Sequence, residues 1–147
     1  MGEDGGDWRQ TEAVRWAALR QEWLAEFRSV PAEEIARLAG GPATGAASLL
    51  EGWEADHRVF VIPEGAERLY PLFQFGADGQ PRPEFQPLLA AVRGRMEGWE
   101  LALWLTTPNG AFALPDQQGW QTPLEVLGRD LEAVIATMEH DATEDSF

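Results

Sequence analysis

Cysteine and lysine are both missing from this 147-residue chain, asparagine and tyrosine occur once each, and its apolar runs extend for only a few residues, as from Val59 to Pro63. Without cysteine there are no disulfides and no thiolate metal sites, and a cytoplasmic setting is expected. The two histidines, His57 and His140, lie far apart in no metal-binding spacing, so a metal site is not expected. No run is long enough for a membrane-spanning helix, and Met1-Gly2-Glu3-Asp4 is acidic where a secretory signal would be basic.

Positive charge is scarce: eleven arginines face 25 acids, a net charge of −14. A chain of this sign repels phosphate at long range, so sequence-independent affinity for nucleic acid should be poor. A folded core is expected, because 44% of the residues are apolar and seven are tryptophan. The length fits one ordinary domain, or two small lobes sharing a core.

Residues 1–6 are Gly- and acid-rich and read as a disordered lead-in. From Asp7 to Arg28 the apolar residues Trp16, Leu19, Trp23 and Phe27 recur at helical spacing, which predicts a helix with a core-facing aromatic stripe. Ser29-Val30-Pro31 reads as a helix start, leading to a short helix from Glu33 to Ala39 that Gly40-Gly41-Pro42 stops. Thr44 is placed to cap a third helix running to Asp56.

The period then changes. Arg58–Ile62 and Arg68–Phe75 are rich in β-branched and aromatic residues and flank Pro63–Glu67, which predicts a β-hairpin. Pro71 lacks a ladder donor, so its strand lies at an edge or stops pairing there. Past the turn at Ala77-Asp78-Gly79, helices are expected over Pro83–Met96 and Trp99–Leu105, followed by a loop from Ala111 to Gln121. Thr122-Pro123-Leu124-Glu125 forms a capping box for a last helix that should fray from about His140 into an acidic tail, residues 141–147. The fold expected is mainly α: a winged-helix-like N-terminal lobe of helices plus a hairpin, residues 7–79, then a small C-terminal helical lobe, residues 80–140.

No catalytic constellation is recognisable. The chain has no G-x-S-x-G, no phosphate-binding Gly-rich loop and no thiol nucleophile, and Glu33-Glu34 and Glu51/Glu54 read as solvated helix faces. An enzyme is not expected. The helix that would enter a DNA groove, Thr44–Asp56, holds three acids and no arginine, leaving Thr44 and Ser48 as its candidate contacts. Residues 29–79 carry Arg37, Arg58 and Arg68 against eight acids.

Three motifs in order carry a family resemblance. They are Tyr70-Pro71-Leu72-Phe73-Gln74-Phe75 followed by Asp78-Gly79-Gln80-Pro81, then Trp104-Leu105-Thr106-Thr107-Pro108-Asn109, then Thr122-Pro123-Leu124-Glu125-Val126-Leu127. Over residues 58–138 the chain resembles the Xre/MbcA/ParS-type antitoxins that partner RES-domain toxins. The resemblance implies that the C-terminal lobe binds and neutralises such a toxin, an enzyme that attacks NAD or related nucleotides, while the antitoxin itself needs no cofactor. It also implies an N-terminal helix-turn-helix acting on its own promoter, often with a homodimer. Where the family has a short Leu-Gly-Gly link, this chain has the longer segment from Phe112 to Gln121.

The resulting candidate partner-binding residues are Trp104, Pro108, Asn109, Phe112, Trp120 and Thr122, since aromatics flanking a loop are the types that dominate interface energy. The alternatives are a winged-helix transcriptional regulator on DNA and an interaction module without a toxin. The acidic recognition helix makes DNA the weaker partner, and no membrane is involved.

Overall fold

The computed structural model describes the backbone of residues 3–115 and 119–144, and the side chains of residues 8–115 and 119–142. It is mainly helical, with a small antiparallel sheet set among the helices. In chain order the elements are α1 (Glu3–Glu26), β1 (Ser29–Val30), α2 (Ala32–Leu38), α3 (Ala46–Ala55), β2 (Ile62–Glu64), β3 (Glu67–Pro71), α4 (Phe85–Val92), α5 (Trp99–Thr106), α6 (Pro123–Leu127) and α7 (Leu131–Glu144). Among the described residues, no helix is long and apolar enough to cross a membrane.

The hairpin forms, shifted in register. β2 and β3 pair Ile62 with Leu69 and Glu64 with Glu67, so the loop is shorter than Pro63–Glu67 and Pro63 itself is a strand residue. A third strand escapes the sequence pattern: Ser29–Val30, read above as a helix start, pairs with Pro71 and Tyr70, making β3 the central strand in the order β1-β3-β2. Two residues carry too little periodicity to announce a strand; the neighbouring β3 edge creates it. Pro71 closes β3, and the chain turns at once into a 3-10 turn over Leu72–Gln74.

Alternation along β3 divides the interior. Leu69 points into a large cluster with Trp23, Phe60, Ile62, Phe85, Leu88, Leu105, Leu127, Val134 and Met138. Tyr70 points the other way, into a smaller cluster with Val30, Ile35, Leu50, Trp53, Val59 and Phe75. The smaller cluster is the winged helix. The larger one joins the C-terminal helices to α1 and to residues of the wing, so the interior does not divide at residue 79.

Arg58–Phe60 was expected in the hairpin and lies outside it. The segment is held instead by Gln74, fully buried, whose Oε1 accepts from the Phe60 N–H and whose Nε2 donates to the Phe60 carbonyl, both at 2.8 Å. One side chain thereby supplies both bonds of a ladder pair.

Helix ends account for the remaining differences. Glu3–Gly6, read as part of a disordered lead-in, lie within α1, while Met1 and Gly2 fall outside the described residues. The stripe on α1 is only partly core-facing: Trp23 is buried, whereas Leu19 is exposed and Trp16, also exposed, meets the core only edge-on, its ring centroid 5.8 Å from that of Trp99. Thr44 does not cap α3; Gly45 holds that position in a left-handed conformation with no side-chain bond. α4 stops at Val92, short of Met96, where Arg93 leaves helical geometry. The last helix is two: α6 ends at Gly128, and α7 starts after Asp130, whose Oδ1 accepts from the Ala133 N–H. α7 runs to Glu144, beyond the fraying point expected at His140; residues 145–147 of the expected tail lie outside the described residues.

Candidate functional site

Two of the C-terminal candidates, Trp104 and Asn109, converge on Asp141. Its Oδ2 accepts from the Trp104 indole N–H at 2.8 Å and from the Asn109 amide at 3.1 Å, tying α5, the following loop and α7 together. Trp104 and Asn109 are half-buried. Asn109 also caps the 3-10 turn Gly110–Phe112 by accepting from the Ala111 N–H. Phe112 is buried in the large cluster, so its ring is a core element that anchors the loop from inside.

Residues 112–114 and 119–121 run antiparallel and pair with each other. The Asn109 N–H donates to the Gln121 carbonyl, the Gln121 N–H to the Phe112 carbonyl and the Leu114 N–H to the Gly119 carbonyl, with Ala113 bridged to Trp120. Trp120 is 58% exposed on this support. Its ring covers Gly110 so closely that a Cβ there would sit 3.3 Å from ring carbon Cζ2. Pro108 is exposed nearby in sequence.

Thr122 has a structural duty. Its Oγ1 accepts from the Glu125 N–H, and Glu125 Oε1 accepts from the Thr122 N–H, the reciprocal capping box expected. The Thr122 backbone N–H, and after it the Thr122 hydroxyl, which also donates to Glu125 Oε1 at 3.0 Å, hold the Glu125 carboxyl below its ordinary pKa.

On the winged helix, Thr44 and Ser48 are both exposed on or beside α3. The three arginines of residues 29–79 each have a partner within the chain. Arg37 pairs with Glu34, Arg58 lies over the Trp53 ring, and Arg68 donates to Glu54 Oε1 at 2.7 Å. Glu54 was read as a solvated acid; it is half-buried and also accepts from the Tyr70 hydroxyl at 2.7 Å, joining α3 to β3. Burial, then the Glu54 carboxylate, pushes the Tyr70 phenol well above its ordinary pKa. Between the wing and helices α2 and α3 runs a groove of about 350 Å³, lined by Glu33, Glu51, Glu67 and Arg68 over Ala47, Ala66 and Tyr70. Its three acids outnumber the one arginine, which is paired with Glu54, so the rim is net negative and disfavours phosphate.

A second cavity, about 230 Å³, opens between the lobes and is lined by His57, Val59, Leu89, Arg93 and Glu97 among others. It contains no nucleophile with an adjacent base. Among the described residues, no three His, Asp or Glu side chains are placed to hold a metal ion.

The sequence matches no family model, and no curated protein matches it. Among solved structures the chain is similar to the NMR structure of Rv2175c, with a TM-score of 0.63 at 18% identity, covering 79% of this chain and 82% of that one. At that identity the likeness is one of fold.

Proposed function

We propose that this protein is an antitoxin-like binding protein of the cytoplasm whose C-terminal lobe holds and neutralises a RES-type partner toxin. The observation that supports the reading best is the presentation of Trp120. A large indole, 58% exposed, sits on a loop pinned at both ends by backbone hydrogen bonds and from inside by Phe112. An exposed tryptophan on hydrogen-bonded backbone loses less entropy on binding than one on an unpaired loop, and tryptophan is a frequent interface anchor. In this reading Trp120 and Pro108 touch the partner, whereas Trp104, Asn109, Phe112 and Thr122 position them.

DNA is the second reading, which the winged-helix shape invites. Against it stand the absence of arginine from α3 and the pairing of Arg37 and Arg68 with acids of the same lobe, which leave Thr44 and Ser48 without a cationic residue on their own helix. A gel-shift on the protein's own upstream DNA at low salt should show no complex; a sharp, salt-sensitive one would make DNA the partner.

The decisive experiment is co-expression with a RES-domain protein encoded beside the gene. The wild type should co-purify with it and restore growth. Trp120→Ala should weaken the complex by at least about tenfold while unfolding as the wild type does. If no RES-type protein is bound or neutralised, the antitoxin reading fails and an interaction module with another partner takes its place.

A further inference from the structure

The first turns of α1 stand clear of the body. Every described residue from Trp8 to Arg15 is exposed, and α1 packs on the body through Trp16, edge-on to Trp99, and through Trp23, Leu24 and Phe27. Unsupported helices shorter than about 12–15 residues are marginal in water, so an overhang of this kind gains from a neighbour.

One stripe on the overhang is apolar at its two ends and charged between them. Trp8, Glu12, Arg15 and Leu19 follow one another at spacings of four, three and four, which places all four on one narrow face. That face is open to solvent: Trp8 is 59% and Leu19 43% exposed, and the side chains of Glu12 and Arg15 are 59% and 73% exposed.

The stripe is also self-complementary when reversed. In an antiparallel pair with its two-fold axis between Ala13 and Val14, Trp8 of one copy meets Leu19 of the other, and Glu12 meets Arg15, each contact occurring twice. A parallel pair would instead set Glu12 against Glu12 and Arg15 against Arg15. Within one chain Arg15 already lies 3.5 Å from Glu12, so the cross-pairs would extend an existing charge ladder. Beyond Leu19 the same stripe carries Glu22 and Glu26, which limits the contact to about three turns.

We infer that this protein self-associates through α1, as an antiparallel helix pair centred between Ala13 and Val14. The occupant of the exposed face is a second copy of the chain. The inference is independent of the proposed toxin, since α1 lies outside the residues that carry that resemblance. Three turns of paired helix fall well short of the roughly 1,600 Å² of a standard stable interface, and two bodies of charge −14 repel, so the dimer is weak and concentration-dependent.

Sedimentation velocity on the full chain at about 0.15 M salt tests this. The wild type should shift from monomer toward dimer between about 5 and 500 μM, with helicity rising alongside. Glu12→Arg sets Arg against Arg and Arg15→Glu sets Glu against Glu, so each alone should weaken association by at least about tenfold. The double variant should recover it, and an equimolar mixture of the two single variants should form the heterodimer. A wild type that stays monomeric throughout, single variants that associate as well as the wild type, or a mixture that does not pair would each overturn the inference.

Discussion

The Asp141 carboxylate lies 2.8 Å from the Trp104 indole nitrogen, joining the last helix to α5 across 37 residues of chain. The same oxygen receives the Asn109 amide, so one acid on α7 sets the start of the loop that carries Trp120. Charge-assisted bonds of this kind contribute more than neutral ones, at part-buried positions about 1–3 kcal/mol in total. Asp141→Ala should therefore lower unfolding free energy by about that much and release the Trp104 indole N–H to solvent exchange. Asp141→Asn, which keeps an acceptor oxygen, should lose less. Urea titration with NMR of the indole protons checks both; an Asp141→Ala variant as stable as the wild type would show the contact to be incidental.

Gln74 supports a second prediction. Replacing it with Leu strands the N–H and carbonyl of Phe60 in the interior, at about 1–3 kcal/mol for each group. Gln74→Glu places a buried carboxylate opposite the Phe60 carbonyl, which favours the protonated acid and raises its folded pKa. Its stability should be fullest at acid pH, where the acid can donate to that carbonyl, and should decline as pH rises above the ordinary carboxylate range. Unfolding midpoints of the Leu and Glu variants measured against pH should diverge with this sign.

Gly79 closes the turn from Phe75 to Pro81 at φ +76°, and a Cβ there would lie 2.5 Å from the Ala39 backbone nitrogen. The obstacle is the chain leaving α2, which cannot rotate aside as a side chain would. Gly79→Ala combines that clash with left-handed strain and should cost about 2–4 kcal/mol, read as a drop in melting temperature. Gly65→Ala, where the added carbon meets nothing within 4 Å, carries the strain without the clash and should cost about 1 kcal/mol.

At the start of α6, the lowered pKa of Glu125 links the cap to pH. The folded value lies below the ordinary 4.5, so the contribution is present above 4.5 and is lost as pH falls through the folded value. Glu125→Gln should flatten the acid side of the stability curve in that window, and parallel curves for the two proteins would remove the link. Thr122→Ala, which deletes the acceptor for the Glu125 N–H, should cost about 1 kcal/mol at neutral pH.

Local chemistry wrote much of the fold into the sequence. The capping box at Thr122–Glu125 was legible because both partners lie within one turn and need nothing from elsewhere. The change from helical to strand periodicity near residue 58 placed the wing, and Pro71 ended its strand because it has no N–H to give. The shortage of arginine on the third helix needed only counting.

What tertiary structure decided were the features whose partners are distant in the chain. Ser29–Val30 is a strand only because β3 lies beside it, and Gln74 is a strand partner only because Phe60 arrives there. Phe112 and Trp120 are both aromatics at the ends of one loop, yet one is buried and the other exposed, according to where α6 and α7 leave room. Asp141 read as the first residue of an acidic tail and became the link on which Trp104 and Asn109 converge. Periodicity records which face of an element is apolar; it does not record what stands opposite that face, and at these residues the opposite side settled the outcome.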